Sequence, residues 1–582
     1  MFKDKVDKIT PFARFFLRPS NTTHRQYEAL RAYFVEGLLS TDAAIRFGYT
    51  PETLRLMCHQ FRKNPRRQFF LPPRKGPRRK PKQLQLREQV ISMRKQNMSI
   101  YDISKALKKE GQRLSPVAVS LILKEEGFAR LPRRKDEERP PGVRPGAAAV
   151  ADARQLDLSP RRFHTKFAGL FLFLPYLAPM PLDRMLARAG FPGTKMIPAG
   201  HAMRSLLGLK LFGSARHSHV MSYVLDEGLA LFAGLNAIPK RAFLTEYSCR
   251  IHPASYPKVM KLWFDAVGKQ GLRWGVSFDL DFHTIPFHGE DALVQKHYIS
   301  KRSRRQKGIL AFLAQDAQQR VFCYGNASLR KDEHNEEVLR FVKFWKQRTG
   351  HYPEELVFDS KLTTYANMNK LNKMGIPFIT LRTRPRNLHE TLFKTPPGAW
   401  RRVELQGIGR AYRTPRVLDE KITLEGYDGP IRQLTVTDLG HEDPTLVLTN
   451  HLKRSCAKLI KRYAQRMIIE NNIADGIDFF HMDALSSAVA MKVSCDLQLT
   501  LMASSLYRLL GSQIGNGYET AKSRRIFRDL IDAAGYVTIT DKQIQVRFQK
   551  RAHNPLLLAA GFDEIDVAIP WLDRKRLSFI FG

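Results

Sequence analysis

Two aspartates and two histidines interrupt a largely apolar stretch, GVSFDLDFHTIPFHG at residues 275–289. Strand side chains alternate with period two, so Val276, Phe278, Leu280 and Phe282 share one face while Ser277, Asp279, Asp281 and His283 share the other. A buried carboxylate is costly unless a cation or a metal ion partners it. The stretch is therefore either the solvated outer face of an edge strand or part of a functional cluster, and further acids reaching the same end of the sheet decide between the two. ELVFDSK closes a strand on Asp359 within an α/β pattern, where crevices form outside the carboxyl ends of strands. KRYAQRMIIENN then sets Tyr463, Arg466 and Glu470 at i, i+3 and i+7, one face of a single helix, with Arg466 in ion-pair reach of Glu470.

Bringing these groups together requires a sheet and its crossovers. After the strand at 275–286 and a basic stretch, VQKHYISKRSRRQKG, come two apolar runs, ILAFLAQ and RVFCYGNA, joined by Asp316-Ala317-Gln318-Gln319, a hairpin signal. A helix at 333–349, the strand ending at Asp359, a capped helix TTYANMNKLNKMG and a strand IPFITLRT follow. Three antiparallel strands, helix, strand, helix, strand describe a mixed sheet with right-handed crossovers. The expected fold class is multidomain α/β. Its parts are a helix-turn-helix unit at 1–66, a basic arm at 67–83, a second trihelical unit at 84–130 and a linker at 131–160. A helical subdomain at 161–268, the first half of the core at 269–382, a β-rich insertion at 383–450, the second half of the core at 451–515 and an α/β tail at 516–582 complete it.

Composition limits the partners. Lys+Arg number 96 and Asp+Glu 55, and 96 − 55 leaves +41, which makes a polyanion the default partner. The longest uncharged run, Phe167 to Leu182, has 16 residues and three prolines, which excludes a membrane-spanning helix there. MFKDKVDKIT has no apolar leader region, and the five scattered cysteines form no CxxC pair; the expectation is a reducing, cytoplasmic setting at the nucleoid, with no membrane partner. In the first unit Ser40 or Thr41 is expected to cap a short helix that Gly48 ends, and Thr50-Pro51 to start the next, which offers Glu52, Arg55, His59 and Arg62 to a DNA groove. The second unit repeats the pattern with Ser115-Pro116. Arg74, Lys75, Arg78, Arg79 and Lys80 in the arm, and Lys301, Arg302, Arg304 and Arg305 after the first core strand, are candidates to track a phosphate backbone; solvated segments are the alternative.

A strand with Asp, a hairpin, a helix, a strand with Asp, a β-rich insertion and a helix with Glu resemble the RNase H-like catalytic core of DDE transposases. Tyr463, Arg466 and Glu470 resemble the Y-x2-R-x3-E signature of the bacterial insertion-sequence branch that carries an inserted β domain. The likeness spans roughly residues 270–510. It implies Asp281, Asp359 and Glu470 as catalytic metal ligands, with Tyr463 and Arg466 as accessory groups and Asp279 the competitor for the first acid. It also implies two Mg²⁺ ions, with Mn²⁺ able to substitute, that support in-line displacement at phosphorus, first by water and then by the freed 3′ hydroxyl. Double-stranded DNA, both element ends and target, and a homodimer in a synaptic complex are the implied partners. The family motif places a lysine seven residues after the glutamate, and here that position is Ile477. A DNA-binding derivative without catalysis and a nuclease without strand transfer stay open as alternatives. Trp400 is a candidate for base stacking or for core packing, and His481 with Asp483 a weaker candidate metal pair.

Overall fold

The computed structural model describes residues 15–19, 21–66, 69–70, 86–96, 98–128, 131, 150–287, 296–299, 304–329, 333–405, 413–440, 443–483 and 490–582. The chain divides into two units, 1–146 and 147–582. The first holds two trihelical groups, each with its own core. In one, α1 (Thr22–Phe34), α2 (Ser40–Phe47) and α3 (Pro51–Lys63) enclose Ala29, Ala44, Leu54 and Cys58. In the other, α4 (Arg87–Lys95), α5 (Ile100–Lys109) and α6 (Pro116–Glu125) enclose Val90, Ile103, Leu107 and Val119. The Thr50 and Ser115 side chains accept from the backbone N–H groups of Thr53 and Ala118, and Pro51 and Pro116 open the helices they cap. Ser99 and Asp102 form a capping box on α5. The expected Ser40 or Thr41 cap is absent: Leu39 takes the capping position without a side-chain bond, and Ser40 is already helical.

Residues 147–582 combine helices with two mixed sheets. The larger sheet comprises β2 (Ser277–Pro286), β3 (Lys296–Ile299), β4 (Arg304–Asp316), β5 (Val321–Asn326), β6 (Glu355–Phe358), β7 (Phe378–Leu381), β8 (Trp400–Arg402), β9 (Arg416–Ile422), β10 (Ile431–Thr437) and β11 (Thr445–Thr449). β2 pairs antiparallel with β4 and parallel with β6, and β6 pairs parallel with β7. β2 is therefore an interior strand, which removes the solvated-edge reading of its acids. Phe278 and Leu280 pack with α7 (Glu337–Thr349) and α8 (Tyr365–Lys373) on one face of the sheet. α9 (Cys456–Gln465) covers the other, through Leu459 and Ile460 against Val357, Ile379 and Val447. Both faces of β6 are thus dry, in keeping with its apolar run and parallel neighbours.

The segment expected as an inserted β-rich unit does not make a sheet of its own. β11 pairs antiparallel with β7, and β10, β9 and β8 follow outward, so these strands extend the same sheet. The smaller sheet has five strands in the order β1–β12–β13–β15–β14: β1 (Arg161–Thr165), β12 (Gly535–Ile539), β13 (Gln543–Phe548), β14 (Val567–Ala568) and β15 (Arg576–Phe581). The stretch read as purely helical from 161 therefore begins with a strand, which joins the C-terminal tail. Its alternation, Phe163 and Thr165 inward and Arg162 and His164 outward, is too short to stand out beside the long apolar helical run that follows. Among the described residues no single helix is long and apolar enough to cross a membrane.

Candidate active site

The parallel register of β2 and β6 aligns Phe278 with Leu356, Asp279 with Val357 and Leu280 with Phe358. Asp281 is the next residue of β2 after the last pair, and Asp359 is the first residue beyond the end of β6. Asp281 Oδ1 accepts the N–H of Phe282 at 2.9 Å. Asp359 Oδ1 accepts the N–H of Ser360 at 2.6 Å and its hydroxyl at 3.3 Å.

Glu470 lies on α10 (Met467–Asp478). The single helix expected over Tyr463 to Glu470 is instead two, α9 and α10, meeting at Arg466. The Arg466 N–H donates to Tyr463 O at 3.0 Å and Arg466 O accepts from Ile469 N–H at 2.9 Å, i to i+3 bonds that mark a tightened turn. The guanidinium at this turn contacts both flanking acids, Nη1 at 3.2 Å from Asp281 Oδ2 and Nη2 donating to Glu470 Oε1 at 3.1 Å. Farther along α10, Asn472 donates to Gln315 Oε1 and to Arg320 O, both at 2.6 Å, which ties the helix to β4 and to the turn after it.

Charge in this cluster is compensated from within the chain. Burial pushes the Asp281 carboxyl up to about 6, against the pull of Arg466 and of the Phe282 N–H. Burial alone would lower the Arg466 guanidinium, but Asp281, Tyr463, Glu470 and Asp359 together outweigh it and raise its affinity for the proton. Burial pushes the Tyr463 phenol up to about 12, so it remains a neutral hydroxyl, unsuited to nucleophilic attack. Tyr463, Arg466 and Glu470 line a cleft of about 310 Å³ together with Leu381, Val436 and Val447.

A second arginine, which sequence reasoning missed, lies beneath the first. Arg462 Nε donates to Glu355 Oε1 at 2.7 Å and Nη2 to Ser277 Oγ at 2.9 Å, while Nη1 stands 2.8 Å from Asp279 Oδ1. Burial alone would raise the Glu355 carboxyl, yet His451, Arg462, Arg454 and Ser277 outweigh it and hold it down at about 2. Asp279 is buried in this layer against Arg462, whereas Asp281, nearer the strand end, meets Arg466. The available signal was the spacing in KRYAQR, which sets Arg462 four residues before Arg466 on the same helical face.

Whether the cluster suits a metal ion turns on its donors. Asp281, Asp359 and Glu470 offer hard carboxylate oxygen, the donor type that Mg²⁺ and Mn²⁺ take. As the side chains stand, no three His, Cys, Asp or Glu groups among the described residues lie close enough together to hold an ion. Arg466 contacts both Asp281 and Glu470, so its guanidinium supplies the positive charge at this position. The donors fit in type, and Arg466 bridges two of them.

In the first unit, Arg55 and His59 are exposed on α3. Arg62 is engaged beside them, donating to the Tyr33 hydroxyl at 3.1 Å and lying over the Phe34 ring at 5.3 Å. Arg74, Lys75, Arg78, Arg79, Lys80, Lys301 and Arg302 lie outside the described residues, as do the side chains of Arg304 and Arg305. Trp400 is half-buried on the outermost strand of the large sheet, with Arg416 at 5.8 Å over its ring. His481 meets the Gly213 carbonyl at 3.1 Å, and its ring has a structural partner there. Ile477 packs against the main apolar core, which explains an apolar residue at that position.

No family model matches this chain, and no curated protein matches it. Among solved structures it is similar to a piggyBac transposase in a synaptic complex with hairpin DNA, at 11% sequence identity and a TM-score of 0.33, over 63% of this chain and 84% of that one.

Proposed function

We propose that this protein is a DDE-type DNA transposase with an RNase H-like core, cutting DNA at mobile-element ends and joining the 3′ hydroxyl to target DNA. What supports the reading is that Asp281 and Asp359 directly follow the last paired residues of the neighbouring strands β2 and β6, and that Arg466 links Asp281 to Glu470. The strand order β5–β4–β2–β6–β7, with β4 antiparallel and the last two strands reached by helical crossovers, is the arrangement such a core needs.

Asp281, Asp359 and Glu470 would hold two Mg²⁺ ions, or Mn²⁺ in their place, which when bound supply activation of the attacking oxygen and stabilisation of the leaving one. Arg466, once it leaves Glu470, has a planar fork suited to a phosphate beside the scissile bond. Tyr463 positions that fork and keeps its own proton. Arg462 fixes α9 against β2 and β6 and so sets the approach of Glu470. The trihelical groups of residues 22–125, as helix-turn-helix units, would recognise element ends with Arg55 and His59 and hold two ends in a homodimeric synapse, at the nucleoid in the cytoplasm.

The test is a nicking assay on a duplex that carries the cognate element end. Cutting should occur with Mg²⁺ or Mn²⁺ and not with Ca²⁺, and Asp359→Ala should abolish it while DNA affinity stays within about twofold. Metal-independent cutting would reject the mechanism. The engagement of Arg466 with two of the three acids favours a second reading, a transposase-derived DNA-binding protein without catalysis. DNA binding with no cutting under any divalent ion would establish that reading instead.

A further inference from the structure

The smaller sheet buries one face and leaves the other open, and the open face is cationic and aromatic. Phe163, Val537, Ile539, Ile544, Val546, Leu577 and Phe579 point into the core. On the opposite face, one row crosses β1, β12, β13 and β15 as His164, Tyr536, Arg547 and Ile580, and the next as Arg162, Thr538, Gln545 and Ser578. Four strands at this spacing span roughly 14 Å. Arg162, His164, Tyr536 and Arg547 are exposed. The Arg162 guanidinium lies 4.5 Å from the centroid of the Tyr536 ring, and His164 meets that ring edge-on at 5.3 Å.

Neither row holds an aspartate or glutamate. The arginines that open β1 and β15 are paired with acids, Arg161 with Glu227 at 3.2 Å and Arg576 with Asp566 at 2.5 Å. Exposed sheet faces ordinarily mix both signs of charge. A guanidinium stacked on a phenol is held flat at low entropic cost and keeps its N–H fork free for a phosphate. Nucleobases stack on aromatic rings and on arginine planes with little regard to sequence. A duplex keeps its bases stacked on one another and would use only the two arginines, leaving Tyr536 and His164 without a role.

We propose that this face binds an unpaired DNA strand, with Arg162 and Arg547 on the phosphates and a base against the Arg162–Tyr536–His164 group. The proposal does not depend on the metal site or on catalysis. The full chain is titrated by fluorescence anisotropy against a labelled oligothymidine about 12 nucleotides long and against a blunt duplex of equal length, across a salt series. The double variant Arg162→Ala, Arg547→Ala should reduce the slope of log affinity against log salt on the oligothymidine by about 1.4, two phosphate contacts at 0.7 each. Tyr536→Ala should weaken the oligothymidine about tenfold and leave the duplex unchanged. Tyr536→Phe, which keeps the ring, should bind as the parent does, and this separates lost stacking from lost folding. Ultraviolet crosslinking of an iododeoxyuridine-substituted strand should label residues 161–165 or 535–548. Crosslinks confined to other segments, an unchanged salt slope in the double variant, or equal losses on both DNAs with Tyr536→Ala would overturn the proposal. An unchanged slope would leave the face to an acidic protein partner.

Discussion

At Arg466 one guanidinium serves two carboxylates, and this governs what the site does without metal. A cation held as proposed would compete with the arginine for Asp281 and Glu470. Arg466→Met should therefore strengthen Mn²⁺ binding in the absence of DNA and still lower the cutting rate by at least about tenfold, because the phosphate loses its fork partner. Manganese affinity measured by electron paramagnetic resonance, alongside single-turnover cutting, reads both effects; unchanged affinity would show that the arginine does not guard the acids. Asp281 adds a pH dependence. Its carboxyl is raised to about 6 by burial, so below that pH a proton occupies the oxygen that an ion needs. Manganese affinity should be level above about pH 7 and weaken by about tenfold per pH unit below 6.

At the scale of elements, the Arg462 layer determines where α9 and α10 sit. Arg462→Ala leaves the buried Asp279 without its ion-pair partner, while Glu355 keeps Arg454 and Ser277, and should cost about 3–5 kcal/mol in urea unfolding. Glu355 gives the layer an acid limit. Its carboxyl is held at about 2 in the folded state, so its stabilisation is complete above the ordinary glutamate value near 4.3 and is lost as pH falls from there towards 2. The contribution is on the order of 3 kcal/mol, and Glu355→Gln should flatten that limb of the stability–pH curve.

Much of this was legible from local pattern. Alternation in residues 275–286 placed Phe278 and Leu280 on one face and both aspartates on the other, and Thr50-Pro51 and Ser115-Pro116 started helices as their capping chemistry requires. The break at Arg466 was not legible, because ion pairs to a distant strand override a continuous helical periodicity. The strand at 161–165 and the pairing of β11 with β7 escaped for a related reason. Strand partners far apart in the chain are chosen by the whole core, and a short segment carries no mark of its neighbour. Alternation puts Asp279 on the same face as Asp281 and cannot say which cation each meets; the structure sets Arg462 beside Asp279 and Arg466 beside Asp281.

For the whole molecule, the charge of +41 and the two separate units predict binding dominated by phosphate contacts. Affinity for any duplex should fall steeply with salt, and a chain making about six phosphate contacts should lose roughly a thousandfold between 50 and 200 mM. Catalysis, if carried by the strand-end acids, is separable from that binding. The decisive quantity is the number of Mn²⁺ ions held by the full chain on a cognate-end duplex, counted by electron paramagnetic resonance for the parent and for Asp359→Ala and Glu470→Gln. Two ions on the parent, with loss of at least one in each variant at undiminished DNA affinity, is the expected result. A parent that binds no ion, or variants that bind as many as the parent, would contradict the assignment of Asp281, Asp359 and Glu470 to a single metal-holding site.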